Sequence, residues 1–277
     1  MFDSLECITG INKEVLAPIL ITIFIFFMGE AFKYGGRSFR VWKKRKNYRN
    51  IFKQLLISIS GDVLSQANGF QNLSQSLNID NDEDFQMFSG TIGHLETFLL
   101  IPFSDFYEAF FIGPAKNRIS LSNFNMAFKN VRAVSEIQND LPRIKDLFQE
   151  KYLAYQTKWG DDVTAFSSFL EKVIHNPEIQ ANFPEQTTAL DQIYASYQIH
   201  DNRFRQNVIV ETLVLPIQQY LRGNDVTPFS LEMLKLGNSV VHNRDNLDAF
   251  FKAYAHEFGV YEDVYRRAYR HLSSLNM

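Results

Sequence analysis

The side chains whose types could do chemistry are few. The six histidines, His94, His175, His200, His242, His256 and His271, form no HExxH and no HxH pair, so their spacing builds no metal site. Cys7 is the only cysteine; it can make neither an intramolecular disulfide nor a cysteine metal site, and it reads as an idle thiol or as one that pairs with a second copy of the chain in an oxidising compartment. Asp80, Asp82 and Asp84 match the first three ligand positions of a calcium loop, but Phe85 stands where the turn needs Gly and Thr91 where it needs Glu. That stretch reads as a polar turn. No glycine-rich phosphate loop and no G-x-S-x-G elbow occurs. What remains as a weak catalytic candidate is Arg266 with His271, an R-x4-H spacing near the C-terminus.

This spacing resembles the signature of the HEPN family of helical ribonucleases, in which an Arg and a His act on the RNA phosphodiester. The resemblance covers six residues, and Arg267 stands where the family usually has a polar Asn, Asp or His. It implies one alternative function, a membrane-tethered ribonuclease using Arg266 and His271. Read by themselves, the two residues make a basic last stretch of helix, favourable for the helix dipole. Neither cofactor nor metal is expected.

The dominant physical feature lies at the other end. Eighteen residues, Val15 to Phe32, separate Glu14 from Lys33, and only Thr22 and Glu30 among them carry polar side chains. As a helix they span about 27 Å, close to the ~30 Å hydrocarbon core of a bilayer. Eleven of them are Val, Leu, Ile or Phe, favouring insertion by roughly 3–7 kcal/mol. Residues 15–34 are therefore expected to form a transmembrane anchor, with Pro18 in its first turn. Glu30, one turn from Lys33, is expected to pair at the inner surface.

Charge orients the anchor. Residues 31–61 hold nine Lys and Arg and no acid, whereas residues 1–14, a short extracytoplasmic lead, hold Lys13 against Asp3, Glu6 and Glu14. The positive-inside rule places the N-terminus outside and the rest in the cytoplasm. The acidic lead and the poor cleavage site make the anchor uncleaved. The expected location is the bacterial inner membrane, single-pass. Arg40, Trp42, Lys43, Lys44, Arg45, Lys46 and Arg49 mix basic and aromatic side chains, and are expected to meet anionic lipid headgroups.

Beyond residue 61 the chain holds 18 basic and 27 acidic residues, a net charge of −9. An acidic body is not expected to have nucleic acid as a partner. Its apolar residues recur in threes and fours, as in Phe52, Leu56, Ile59, Val63, Ala67, Phe70, Leu73 and Leu77, and no stretch alternates as a strand would. The fold class is mostly α: one N-terminal transmembrane helix and a multi-helix cytoplasmic domain, with no sheet expected. Helix breaks are expected at Gly35-Gly36, before Leu141-Pro142, at Trp159-Gly160, near Asn243 and at Gly259, with a kink at Pro216. Residues 37–176 form a helical region with a basic juxtamembrane start. A hinge at 177–186 separates them from a second helical subdomain, 187–277, which can pack with the first as one body.

The expected function is interaction with a protein partner or self-association by a membrane-anchored helical protein, as a sensor, scaffold or defence component, without enzymatic activity. A membrane-perturbing effector active as an oligomer is the third alternative.

Overall fold

The computed structural model describes residues 13–78, 92–112 and 120–275, with side chains from residue 18 onward. Among the described residues every regular element is helical. Three long helices carry the fold: α1 (Lys13–Ser76), α4 (Leu121–His175) and α9 (Pro228–Ser274). Short ones complete it. These are α2 (Leu95–Leu100), α3 (Phe103–Phe111), α5 (Pro177–Asn182), α6 (Pro184–Gln198), α7 (Gln206–Val208) and α8 (Leu215–Arg222).

Local chemistry sets the true ends. The Ser120 hydroxyl accepts from the Asn123 N–H at the start of α4. Asn176 ends α4 and caps α5, its side chain accepting from the N–H groups of Glu178 and Ile179, with Pro177 in the first helical position. At the start of α9 the Thr227 N–H donates to Ser230 Oγ at 3.2 Å, the backward half of a capping box.

Most of the expected internal breaks are absent. Gly35-Gly36 lies inside α1, Pro142 and Gly160 inside α4, and Asn243, Asp245 and Gly259 inside α9. Pro18 also lies within α1, beyond its first turn. The reason is energetic. A mid-helix Gly costs only about 1 kcal/mol, and in α4 and α9 a buried apolar stripe runs past the breaks: Leu141 and Ile144 flank Pro142, Trp159 precedes Gly160 and Phe258 precedes Gly259, whereas Gly35-Gly36 stands in an exposed stretch of α1. Pro216 does perturb its helix. The backbone widens into a π-helical stretch, Ile209–Val214, between α7 and α8, with the Leu215 N–H reaching back to the Val210 carbonyl. A proline lacks the N–H that a regular helix would need, and a π turn is one way to absorb the defect.

α4 and α9 run antiparallel in one register, with Asn130 beside His271, Phe148 stacked on Phe250 at 5.2 Å, and Asp162 beside Ser239. Two hydrophobic cores divide this pair crosswise. The first joins α1, α2 and α3 to the N-terminal half of α4 and the C-terminal half of α9. The second joins α6, the π-helical stretch and α8 to the remaining halves. The segment 177–186 sits within the second core, which takes Phe166, Leu170, Val173 and Ile174 from before it and Leu190 from after it.

A polar layer separates the cores. Asp162 accepts from Ser239 Oγ at 2.8 Å and from the Asn243 side-chain amide, and Gln206 donates to Gln156 at 3.3 Å. Asn243 is only 2% exposed, so losing its partner would strand a buried donor at about 1–3 kcal/mol. This pairing holds the α4–α9 register in a way that interchangeable apolar contacts do not.

Gly237 matters for a different reason. A Cβ there would lie 2.7 Å from Nε2 of buried Gln218, which donates to Asn238 at 3.0 Å. The Gln218 side chain of α8 thus fills the space over Gly237 that a Cβ would need, and it would have to leave its Asn238 bond to make room. Gly237→Ala should destabilise the fold by about 1–3 kcal/mol through overpacking. Gly160→Ala, with nothing within 4 Å of the added carbon, should be neutral or stabilising. Urea unfolding of the two variants in parallel checks this contrast.

Candidate functional site

The apolar stretch of α1 from Pro18 is wholly unburied by protein. Phe24, Ile25, Phe26 and Phe27 each stand mostly exposed. This helix is long and apolar enough to cross a membrane, as a signal sequence near an N-terminus also is. Lys33 Nζ lies 3.6 Å from Glu30 Oε1, the expected pair.

α1 continues from this stretch through the basic collar without interruption, and every residue from 31 to 44 is exposed. Turning 100° per residue, it sorts the collar by face. Phe39, Trp42, Lys43 and Lys46 share one face at i, i+3, i+4 and i+7. The Phe39 and Trp42 ring centroids are 5.8 Å apart, and Lys46 Nζ lies 5.2 Å above the Trp42 ring.

Lys44 points the other way, into the body. Its Nζ is 3.2 Å from Asp105 Oδ1 on α3, and the Tyr48 hydroxyl donates to Asp105 Oδ2 at 3.0 Å. Of the seven residues expected at lipid headgroups, Lys44 is thus committed to a protein carboxylate. Arg45 and Arg49 are half-buried, while Arg40, Trp42, Lys43 and Lys46 remain open to solvent.

The hydrogen bond to Asp105 Oδ1 raises the Lys44 pKa, and the one to Asp105 Oδ2 raises that of Tyr48. Both shifts favour the protonated forms. Their stabilising contribution is therefore complete below pH ~10, the unfolded values, and is lost as pH rises through the folded ones. Sequence reading missed Asp105. The acidic stretch SDFYEA was legible, but no local signal shows that α3 folds back onto a helix some sixty residues earlier.

The structure directs Arg266 and His271 to different partners. Five residues apart on one helix, they project about 140° apart around its axis. Arg266 turns toward α1: its Nη2 donates to Gln71 Oε1 at 2.8 Å and to Asn68 Oδ1 at 3.2 Å, and its Nε to Glu262 Oε1 at 2.6 Å. His271 turns toward α4, with Nδ1 3.2 Å from Asn130 Nδ2 and 2.8 Å from the Arg267 carbonyl. The Arg266 donors are spent on neighbours within the bundle. The two residues tie α9 to α1 on one side and to α4 on the other.

Among the described residues no group of three His, Cys, Asp or Glu could hold a metal ion. Cys7 and the Asp80–Asp84 stretch lie outside the described residues. An open groove of about 630 Å³ runs along α4, lined by Phe103, Phe128, Lys129, Arg132 and Glu136. A second, of about 610 Å³, includes His94, Glu96, Ser135 and Gln138. No hydrogen bond among the described residues links His94, Glu96 and Ser135 in the second groove.

No protein-family model, no curated protein and no solved structure matches the chain.

Asp105→Asn removes the charge that both Lys44 and Tyr48 lean on. Tyr48 should then ionise closer to pH 10 than in the wild type, with its ring NMR resonances followed against pH; an unchanged titration would show that the carboxylate does not hold this corner.

Proposed function

We propose a single-pass protein of the bacterial inner membrane, N-terminus outside, that holds a cytoplasmic helical body above the bilayer and works by binding a protein partner or by self-association, without catalysis. The observation that carries this reading is α1. One uninterrupted helix, Lys13–Ser76, links an apolar stretch that protein leaves bare to a stripe that the body buries completely. Such a helix has no use for its apolar half in water, where it would expose a large contiguous apolar surface. In a bilayer that half is solvated, and the collar that follows has the charge asymmetry of a cytoplasmic flank.

The body supports a binding role. It is a rod of long helices with polar ties across its joints, it gathers no catalytic constellation among the described residues, and the divergence of Arg266 and His271 favours a structural use of both. Lys33, Arg37 and Arg40, nearest the anchor, are the residues placed to meet anionic headgroups.

The reading is tested in cells and in detergent. The protein should resist carbonate extraction from membranes, and deletion of residues 1–32 should release it to the soluble fraction. Cys7, the single thiol, should react with a membrane-impermeant maleimide applied from the outer face. Purified protein should run as a defined oligomer or with a stoichiometric partner; a clean monomer without one would overturn the interaction reading.

A further inference from the structure

We propose that the outer groove between α4 and α9, on the side away from the first core, docks an amphipathic helix of a partner protein. That helix carries acidic side chains toward its bilayer end and basic ones about two turns further on. The proposal rests on the membrane-anchored, partner-binding reading above. Two contacts fix the pairing of these antiparallel helices: Asn130 meets His271, and Phe148 meets Phe250. Phe124, Val131 and Val134 on α4 and Tyr265, Ala268 and Leu272 on α9 are buried in the first core. Helical rotation turns other rows to the opposite side. There Met126, Ala133 and Leu147 of α4 lie at heptad spacing, opposite Val260 and Ala253 of α9. Met126, Leu147 and Val260 are apolar yet exposed, and the alanines leave room for a third helix.

The walls of this groove carry charge in bands. The Asn130–His271 pairing sets Lys129 level with Arg270. One heptad further from the bilayer, about 10 Å along the helices, it sets Glu136 level with Asp263. All four are exposed. Each level therefore opposes like with like, at flanking positions where paired helices often set opposite charges. Among the described residues no ion pair joins α4 to α9, and none of the four makes one. Exposed Arg267, between the two levels, extends the basic band. An occupant with carboxylates at the first level and cations at the second relieves both repulsions.

This banding selects the occupant. A second copy anchored in the same membrane stands parallel and at the same height, so this face would bring each band against its own sign. A nucleic acid would meet the acidic band about 10 Å from the basic one. The leaflet is out of reach, because Phe124 stacks on Phe52, about 30 Å of helix beyond Phe32. A protein helix can present one block of each sign two turns apart, and lay an apolar side on Met126, Val260 and Leu147.

The test uses the full chain in nanodiscs of zwitterionic lipid. The probe is a dye-labelled synthetic helix with a leucine stripe, one block of Glu and one block of Lys. Its anisotropy should rise saturably, with an affinity that falls with salt. A peptide of the same composition with Glu and Lys intermixed should bind about tenfold more weakly. Lys129→Glu/Arg270→Glu should weaken the block peptide by a similar factor. Adding Glu136→Lys/Asp263→Lys inverts both bands and should restore binding, with the peptide reversed in the groove. Helical circular dichroism should be unchanged throughout. The proposal is overturned by an absent response to the block peptide, by equal binding of the intermixed one, by indifference to the double variant, or by no recovery in the fourfold variant. Equally tight binding of a single-stranded oligonucleotide would also overturn it. A native partner that stays on the double variant would refute this site and leave the partner-binding reading standing.

Discussion

The structure depends on one aromatic contact set, that of Phe52. Its ring lies 4.9 Å from both Phe106 and Phe110, 5.5 Å from Phe124, 5.7 Å from Phe98 and 6.3 Å from Phe128, and it is 0% exposed. These rings come from α1, α2, α3 and α4. Edge-on and offset pairs of this kind add about 0.5–1.5 kcal/mol each beyond the area they bury. Phe52 is also the first fully buried residue of α1. The free half of α1 leaves the body at this joint, and the first core packs around it.

From that joint the rest follows by geometry. α1 is fixed where it leaves the body, so its free N-terminal half points in a fixed direction. Asp105 reinforces the exit by holding Tyr48 and Lys44, about one and two turns before Phe52. The first core then extends along α1 until Leu77, with Phe70 contacting Phe258, Tyr261 and Tyr265 on α9. The second core needs no contact with α1 at all. It is reached through the paired length of α4 and α9, and the Asp162–Asn243 layer keeps that pair in register between the two. The outcome is a rod with three levels: a free helix, a bundle built on α1, and a bundle beyond it.

Much of this was legible in the sequence. The stripe from Phe52 to Leu77 is buried as its spacing indicates, as are Phe124, Ala127, Phe128, Val131 and Val134. The all-helical class followed from that spacing. What misled was punctuation. Gly160, Gly259 and Pro142 look like ends because in isolated helices they favour ends, yet here both neighbouring turns are packed and the local penalty is small beside the burial on either side. Crosswise division of the cores was not legible, because it depends on pairing between residues such as Asp162 and Asn243, 81 positions apart. The Arg266–His271 spacing was visible as a string, but its direction in space is set by where α1 and α4 flank α9.

The central claim is that α1 is a single rigid helix from its bare apolar stretch to the body. It is tested most directly by a spin–spin distance in nanodiscs. Labels at the exposed positions Ile25 and Ile57, in a Cys7→Ser background, flank Gly35-Gly36 and the whole collar. A continuous helix predicts a narrow distribution near 48 Å for the intervening 32 residues. A broad distribution shifted well below that value would mean that the chain bends at the glycines, and that the height of the body above the membrane is not set by α1.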